Sequence, residues 1–127
     1  MTRMLRIAVA DDEPDVLDYF RVMLPRLGHL VVAAARNGRE LMELCREHNP
    51  DLIIADMRMP EMNGDVAIQE ICQDNPTPFI LISAYIKPAG MPAAINLSGQ
   101  VYLTKPVKLS DLKHAIEQVC PPHSGHE

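Results

Sequence analysis

A chain of 127 residues is long enough for one domain with its own core, so it needs neither a disulfide nor a structural metal to fold. Its residues are 47% hydrophobic but only 4% aromatic, with no Trp, which requires a largely aliphatic interior. The net charge of -5 argues against general affinity for nucleic acid or an anionic membrane, and no apolar run approaches the roughly 18 residues of a membrane span.

Leu5-Arg6-Ile7-Ala8-Val9-Ala10 reads as a first strand that runs into Asp11-Asp12-Glu13-Pro14. Pro14 suits the first turn of a helix and acids suit its positive end. That helix extends to about Leu27, with Val16, Phe20, Leu24 and Leu27 as its buried stripe. Pro25 should kink or fray the last turn, and Gly28 should cap it. Leu30 to Ala34 is the second strand. Asn37-Gly38-Arg39-Glu40 carries a capping signal for a helix that buries Leu41, Leu44 and Cys45 and stops before Asn49-Pro50.

The third strand, Leu52-Ile53-Ile54-Ala55-Asp56, is the most informative stretch. A continuous apolar run of this kind is a strand buried on both faces, as in a parallel sheet. It ends in a carboxylate, followed by Met57-Arg58-Met59-Pro60 and the turn Glu61-Met62-Asn63-Gly64. A helix over about Asp65–Asp74 points Ala67, Ile68, Ile71 and Cys72 inward. Phe79 to Ile82 is the fourth strand, ending at Ser83-Ala84. Between Tyr85 and Gln100, Pro88, Gly90 and Pro92 forbid a long helix and leave at most a short one over Pro92–Leu97. Val101-Tyr102-Leu103 is a fifth strand. Lys105-Pro106 follows, a bond open to cis or trans. Ser110 should cap a last helix with Leu112, Ala115, Ile116 and Val119 inward, and Pro121-Pro122 ends it. Residues 1–120 read as one domain and 121–127 as a tail or the start of a linker.

Five alternations of strand and helix predict an α/β fold, a parallel sheet with helices on both faces. Such sheets bind ligands at the carboxyl ends of their strands. Here four strands deliver Asp11 and Asp12, Asp56, Ser83 and Lys105 to that edge. Converging carboxylates repel one another. A hard divalent cation such as Mg2+ resolves the repulsion, because it takes oxygen ligands and favours a few carboxylates plus phosphate oxygens. With a lysine and a hydroxyl alongside, the set suits a phosphoryl group. Cys45, Cys72 and Cys120 are widely spaced and odd in number, which reads as reduced thiols of a cytoplasmic protein. The five histidines read as surface or helix residues, neither metal ligands nor phosphodonors. Met1-Thr2-Arg3-Met4 lacks the apolar core of a signal peptide.

Asp11-Asp12, Asp56-Met57-Arg58-Met59-Pro60, Asn63-Gly64, Ser83-Ala84 and Lys105-Pro106, in this order and spacing, resemble the receiver domain of bacterial two-component response regulators. The resemblance covers nearly the whole chain. It implies a flavodoxin-like, doubly wound, five-stranded parallel sheet in the order 2-1-3-4-5. It implies that Asp56 accepts a phosphoryl group from a sensor histidine kinase or a phosphotransfer protein. It further implies that Asp11, Asp12, Asp56 and the backbone carbonyl of Arg58 hold Mg2+. Lys105 would contact the phosphoryl oxygens, and Ser83 and Tyr102 would switch on activation. The only catalysis implied is the domain's own phosphorylation and dephosphorylation. The output would be a downstream protein or a linked domain, without direct nucleic-acid binding and without a membrane.

The chain departs from the family at the interrupted segment around Pro88–Pro92 and at Val107, where a phenylalanine is usual. Both departures bear on output and leave the acceptor untouched. Two other classes fit less well. A metal-dependent phosphatase would want a second acid at Arg58 and a cap domain. A docking module that is never phosphorylated would tend to lose an acid or the lysine, and this chain keeps them all.

Overall fold

The computed structural model describes residues 4–83 and 100–121, and of the side chains in the fifth strand only that of Leu103. The described elements run β1 (Arg6–Ala10), α1 (Pro14–Arg26), β2 (Leu30–Ala35), α2 (Gly38–His48), β3 (Leu52–Asp56), α3 (Gly64–Asp74), β4 (Phe79–Ser83), β5 (Gln100–Thr104) and α4 (Leu109–Val119). The strands form one sheet in the order β2-β1-β3-β4-β5, with every pairing parallel. The sequence-predicted short helix over 92–97 lies outside the described residues, as do Tyr85 and the interruption around Pro88–Pro92.

The period-two alternation of the strands divides the core into two layers. Ile7 and Val9 of β1, Leu52 and Ile54 of β3, and Ile80 and Ile82 of β4 pack against Leu17, Phe20 and Leu24 of α1 and against the inward face of α4. Ala8, Ala10, Ile53, Ala55 and Leu81 point the other way, against Leu41 and Cys45 of α2 and Ala67, Ile68 and Ile71 of α3. Every residue of β3 is buried, as befits the central strand. Each fully buried Leu or Ile gains roughly 1.5–3 kcal/mol from leaving water, against the entropy of ordering it. All four inward positions expected for the last helix are buried.

Several local expectations need correcting. The deep position in the first turns of α1 is Leu17, with Val16 half-buried beside it, because the helix presents Leu17, Phe20 and Leu24 squarely to β1. In α2 and α3, Leu44 and Cys72 sit at the margins of the layer. β2 does not alternate regularly. Its register slips between Ile7 paired with Val31 and Ala8 paired with Ala33, so Val32 is an inserted residue. The bulge lets both Val32 and Ala33 face the α2–α3 layer.

Pro25 lies inside α1, which continues to Arg26. The last turn tightens instead of kinking: Leu27 N–H donates to the Leu24 carbonyl at 3.0 Å. Gly28, at φ +89°, then ends the helix as expected. Its N–H donates to the Pro25 carbonyl at 3.0 Å and His29 N–H donates to Leu24 at 3.1 Å, a Schellman closure. Asn37 caps α2, its side chain accepting from Glu40 N–H at 2.9 Å, while the Glu40 carboxylate reaches back one residue further, to Arg36 N–H at 2.8 Å. Ser110 is not the cap of α4. The helix begins at Leu109 with an extended Lys108 before it, and Asp111 accepts from Lys108 N–H at 3.4 Å.

His29 overturns the reading of all five histidines as surface or helix residues. It lies between α1 and β2, is 6% exposed, and its Nδ1 accepts the Leu5 N–H at 3.1 Å.

Candidate functional site

The pairing of five strands places Asp11, Asp56, Ser83 and Lys105 along one edge of the sheet. Asp11 extends β1, its N–H donating to the Ala35 carbonyl of β2 at 3.0 Å. Asp56 and Ser83 are the last residues of β3 and β4. Lys105 follows β5 directly, and its N–H donates to the Ser83 carbonyl at 2.7 Å. The Lys105–Pro106 peptide bond is cis. Asp11, Asp56 and Ser83 are all buried, while Asp12 is exposed at the rim.

Three carboxylates surround the lysine. Lys105 Nζ lies 3.0 Å from Asp11 Oδ2, 3.2 Å from Glu13 Oε1 and 3.3 Å from Asp56 Oδ2. One carboxylate oxygen each from Asp11, Asp12 and Asp56 falls within 4.8 Å of the others. Burial pushes the Asp11 and Asp56 carboxyls above their ordinary values even though Lys105 pulls both down. Burial alone would lower Lys105, but Asp11, Asp56 and Glu13 outweigh it and raise its pKa.

This edge fits a divalent cation. Asp11 Oδ1 is satisfied by the Glu13 N–H at 2.9 Å. Asp11 Oδ2 is fully buried, and among the described residues it has no hydrogen-bond partner beyond the Lys105 ammonium, which faces it as an ion pair. A buried carboxylate oxygen with spare capacity, beside two more acids, is the donor set that Mg2+ favours.

The loop after β3 is shaped around Asp56. The Arg58 backbone N–H favours the ionised form of the Asp56 carboxyl, while the Arg58 side chain is exposed. The Asn63 side chain accepts from Met59 N–H at 3.1 Å, and Gly64 N–H donates to the Met57 carbonyl at 3.0 Å. A Cβ on Gly64 would collide with the Asp56 backbone carbonyl, so only glycine fits there. From sequence, Asn63-Gly64 reads as a turn signal; its tight approach to Asp56 emerges only in three dimensions. Glu13, which the sequence reading leaves as an acid at the positive end of the first helix, proves to be a partner of Lys105. Its signal in the sequence is its place beside Pro14. The backbone of Tyr102 lies in β5, and its side chain is outside the described residues.

Among the described residues, no helix is long and apolar enough to cross a membrane. Among the described residues none of the three cysteines forms a disulfide, and Cys45 is buried.

The profile of the response regulator receiver domain matches residues 7–117. The chain is 34% identical over 112 residues to the transcriptional regulatory protein PdtaR of Mycobacterium tuberculosis, which covers 88% of this chain and 55% of that protein. It thus spans about half the length of PdtaR. It is 32% identical over 115 residues to the chemotaxis protein CheY of Thermotoga maritima, covering 90% of this chain and 96% of that one. Among solved structures, the signal receiver domain of the putative response regulator NarL from M. tuberculosis superposes with a TM-score of 0.79 at 29% identity, over 90% of this chain and 94% of that chain. The Vibrio cholerae chemotaxis protein CheY4 superposes at 0.80 with 22% identity, over 92% and 99%, a likeness of fold alone. The chain belongs to the response regulator receiver domain family, the phosphorylation-dependent receivers of two-component signalling.

Proposed function

We propose that Asp56 is the phosphoacceptor of this receiver. The observation that carries this reading is a buried carboxylate at the end of the central strand, with a lysine ammonium at 3.3 Å and two further acids close by. An Asp56 carboxylate oxygen attacks the phosphorus of a phosphohistidine. The new O–P bond forms as the N–P bond breaks, and the electron pair leaves with the imidazole nitrogen. Burial makes the Asp56 anion costly, so cationic neighbours are needed to keep it ionised at neutral pH. Lys105 supplies one, and it can follow the negative charge as that passes to the phosphoryl oxygens.

Asp11, Asp12, Asp56 and the backbone carbonyl of Arg58 would hold Mg2+, which neutralises charge on the transferring oxygens when bound. Ser83 stands at the end of the neighbouring strand, where its hydroxyl can bond to a new phosphoryl group. The Lys105 N–H bond to the Ser83 carbonyl couples the ends of β4 and β5, so movement of one biases the other. Tyr102 is the proposed second switch residue. The reaction is confined to the domain's own phosphorylation and dephosphorylation.

The phosphodonor is a sensor histidine kinase or a phosphotransfer protein, in the cytoplasm. We take residues 1–120 as the functional unit and 121–127 as a tail or linker. Output through a linked domain is supported by the greater length of PdtaR. Output to a separate protein is supported by the near-full coverage of CheY. A docking role without phosphorylation is disfavoured because every acid and the lysine are kept.

Intact mass after incubation with Mg2+ and acetyl phosphate tests the reading. The wild type should gain one phosphoryl group, and both Asp56→Asn and chelator should abolish the gain. No adduct under conditions that label another receiver would instead support the docking role.

A further inference from the structure

The acidic residue after the paired aspartates has no role in the chemistry above, yet its placement is specific. Glu13 precedes Pro14, whose ring disfavours helical backbone in the preceding residue. Glu13 is accordingly extended, at φ -96° and ψ 116°, and its side chain makes no capping bond to α1. Its backbone is tied at both ends. The N–H holds Asp11 Oδ1 at 2.9 Å, and the carbonyl accepts from Val16 N–H at 3.1 Å and Leu17 N–H at 3.3 Å. The carboxylate is left to cross the site and meet Lys105 Nζ at 3.2 Å, between residues 92 positions apart in sequence.

The ammonium therefore has two kinds of partner. Asp11 and Asp56 are buried and belong to the carboxylate group that could hold a cation; the Glu13 side chain is 63% exposed and stands outside that group. A cation entering among Asp11, Asp12 and Asp56 has to displace the ammonium from Asp11 Oδ2. With Glu13 in reach, the displaced lysine keeps a carboxylate partner and stays over the site. Without it, the lysine's remaining partners among the described residues are the two carboxylates for which the cation competes.

We propose that Glu13 is a positioning residue that acts through Lys105, holding the ammonium aside so that a divalent cation can take Asp11 and Asp56. The inference rests on the cation-dependent phosphoacceptor reading. It separates from simple charge attraction, because a carboxylate acting through space needs neither Lys105 nor a particular side-chain length.

The test is Mg2+ affinity of the whole chain, measured by calorimetry or amide chemical shifts, with thermal unfolding to confirm each variant is folded. Glu13→Gln should weaken Mg2+ binding about threefold to fivefold, in keeping with one partly exposed ion pair. In a Lys105→Met background the same change should cost less than about twofold, since coupled residues are non-additive. Glu13→Asp keeps the charge but shortens the reach, and should behave like Glu13→Gln. Equal losses in both backgrounds, or wild-type affinity in Glu13→Asp, would overturn the proposal. If Lys105→Met fails to fold, Glu13→Asp decides alone. If the wild type binds no Mg2+ at millimolar concentration, the cation-dependent reading itself fails and takes this proposal with it.

Discussion

The two ends of the sheet use similar polar groups to opposite effect. At the amino-terminal end, polar groups at the start of β1 meet complementary ones from neighbouring loops. Leu5 N–H finds His29 Nδ1, Arg6 N–H finds Asp51 Oδ2 at 2.8 Å, and the Arg6 guanidinium donates to the Asn49 carbonyl at 3.0 Å. At the carboxyl end, among the described residues, acids face acids across the Lys105 ammonium, and the buried Asp11 Oδ2 has that ion pair alone. The first arrangement holds strands in place. The second leaves several acids sharing one ammonium, which is the arrangement that the proposed cation and phosphoryl site requires.

Substitutions of the polar side chains at the two ends should therefore differ in sign as well as size. The largest effect is expected at Gly64, where an added methyl meets the Asp56 carbonyl. Gly64→Ala should cost about 3 kcal/mol or more in urea unfolding and also abolish phosphoacceptance, because it moves the acceptor's own backbone. Next comes the amino-terminal end. His29→Ala strands the buried Leu5 N–H and opens a void, for a loss of about 2 kcal/mol.

The same residue sets a pH dependence. Burial lowers the His29 pKa, so its contribution is whole above the ordinary value of 6.5 and fades as pH falls through the lower folded-state value. Unfolding midpoints of wild type and His29→Ala should thus converge as the solution is acidified.

The carboxyl end should show the reverse sign. Asp11 and Asp56 have raised pKa values, so the folded cation-free domain holds protons more tightly than the unfolded chain. Their ionisation costs stability as pH rises above the ordinary value of 3.8. Asp11→Asn should therefore stabilise the cation-free domain at neutral pH by about 1 kcal/mol, a Tm gain of roughly 3–6 °C. Mg2+ should raise the wild-type Tm and have little effect on the variant's. A loss of stability in Asp11→Asn without metal would break the contrast between the two ends. The smallest change is expected from Asp51→Asn, which weakens one charge-assisted bond to Arg6 N–H by about 1 kcal/mol or less.

How much was legible in the sequence follows the same division between local and distant causes. β1, β3 and β4 announce themselves because apolar runs bounded by acids, a serine and prolines carry their own signal. The convergence of Asp11, Asp56, Ser83 and Lys105 follows once those strands are parallel. The bulge at Val32 was invisible, since it reconciles β2 with a neighbour 24 residues away rather than with its own pattern. His29 was misread because a histidine in a turn looks solvated until Leu5 is brought against it. Ser110 was a plausible cap displaced by a helix that starts one residue before it. Glu13 looked like loop charge because its partner lies at the far end of the chain.

That distance has a further consequence. The contacts that complete the site join residues 49 and 92 positions apart, Asp56 and Glu13 each reaching Lys105. Contacts of such separation form late, because loop closure must precede them. A chain emerging from the ribosome holds Asp11, Asp12, Glu13 and Asp56 well before Lys105 is made. The crowded carboxylates are thus left without their ammonium until synthesis reaches the fifth strand. Competence to take a phosphoryl group becomes a property of the finished domain, and a truncated copy would not compete for the donor.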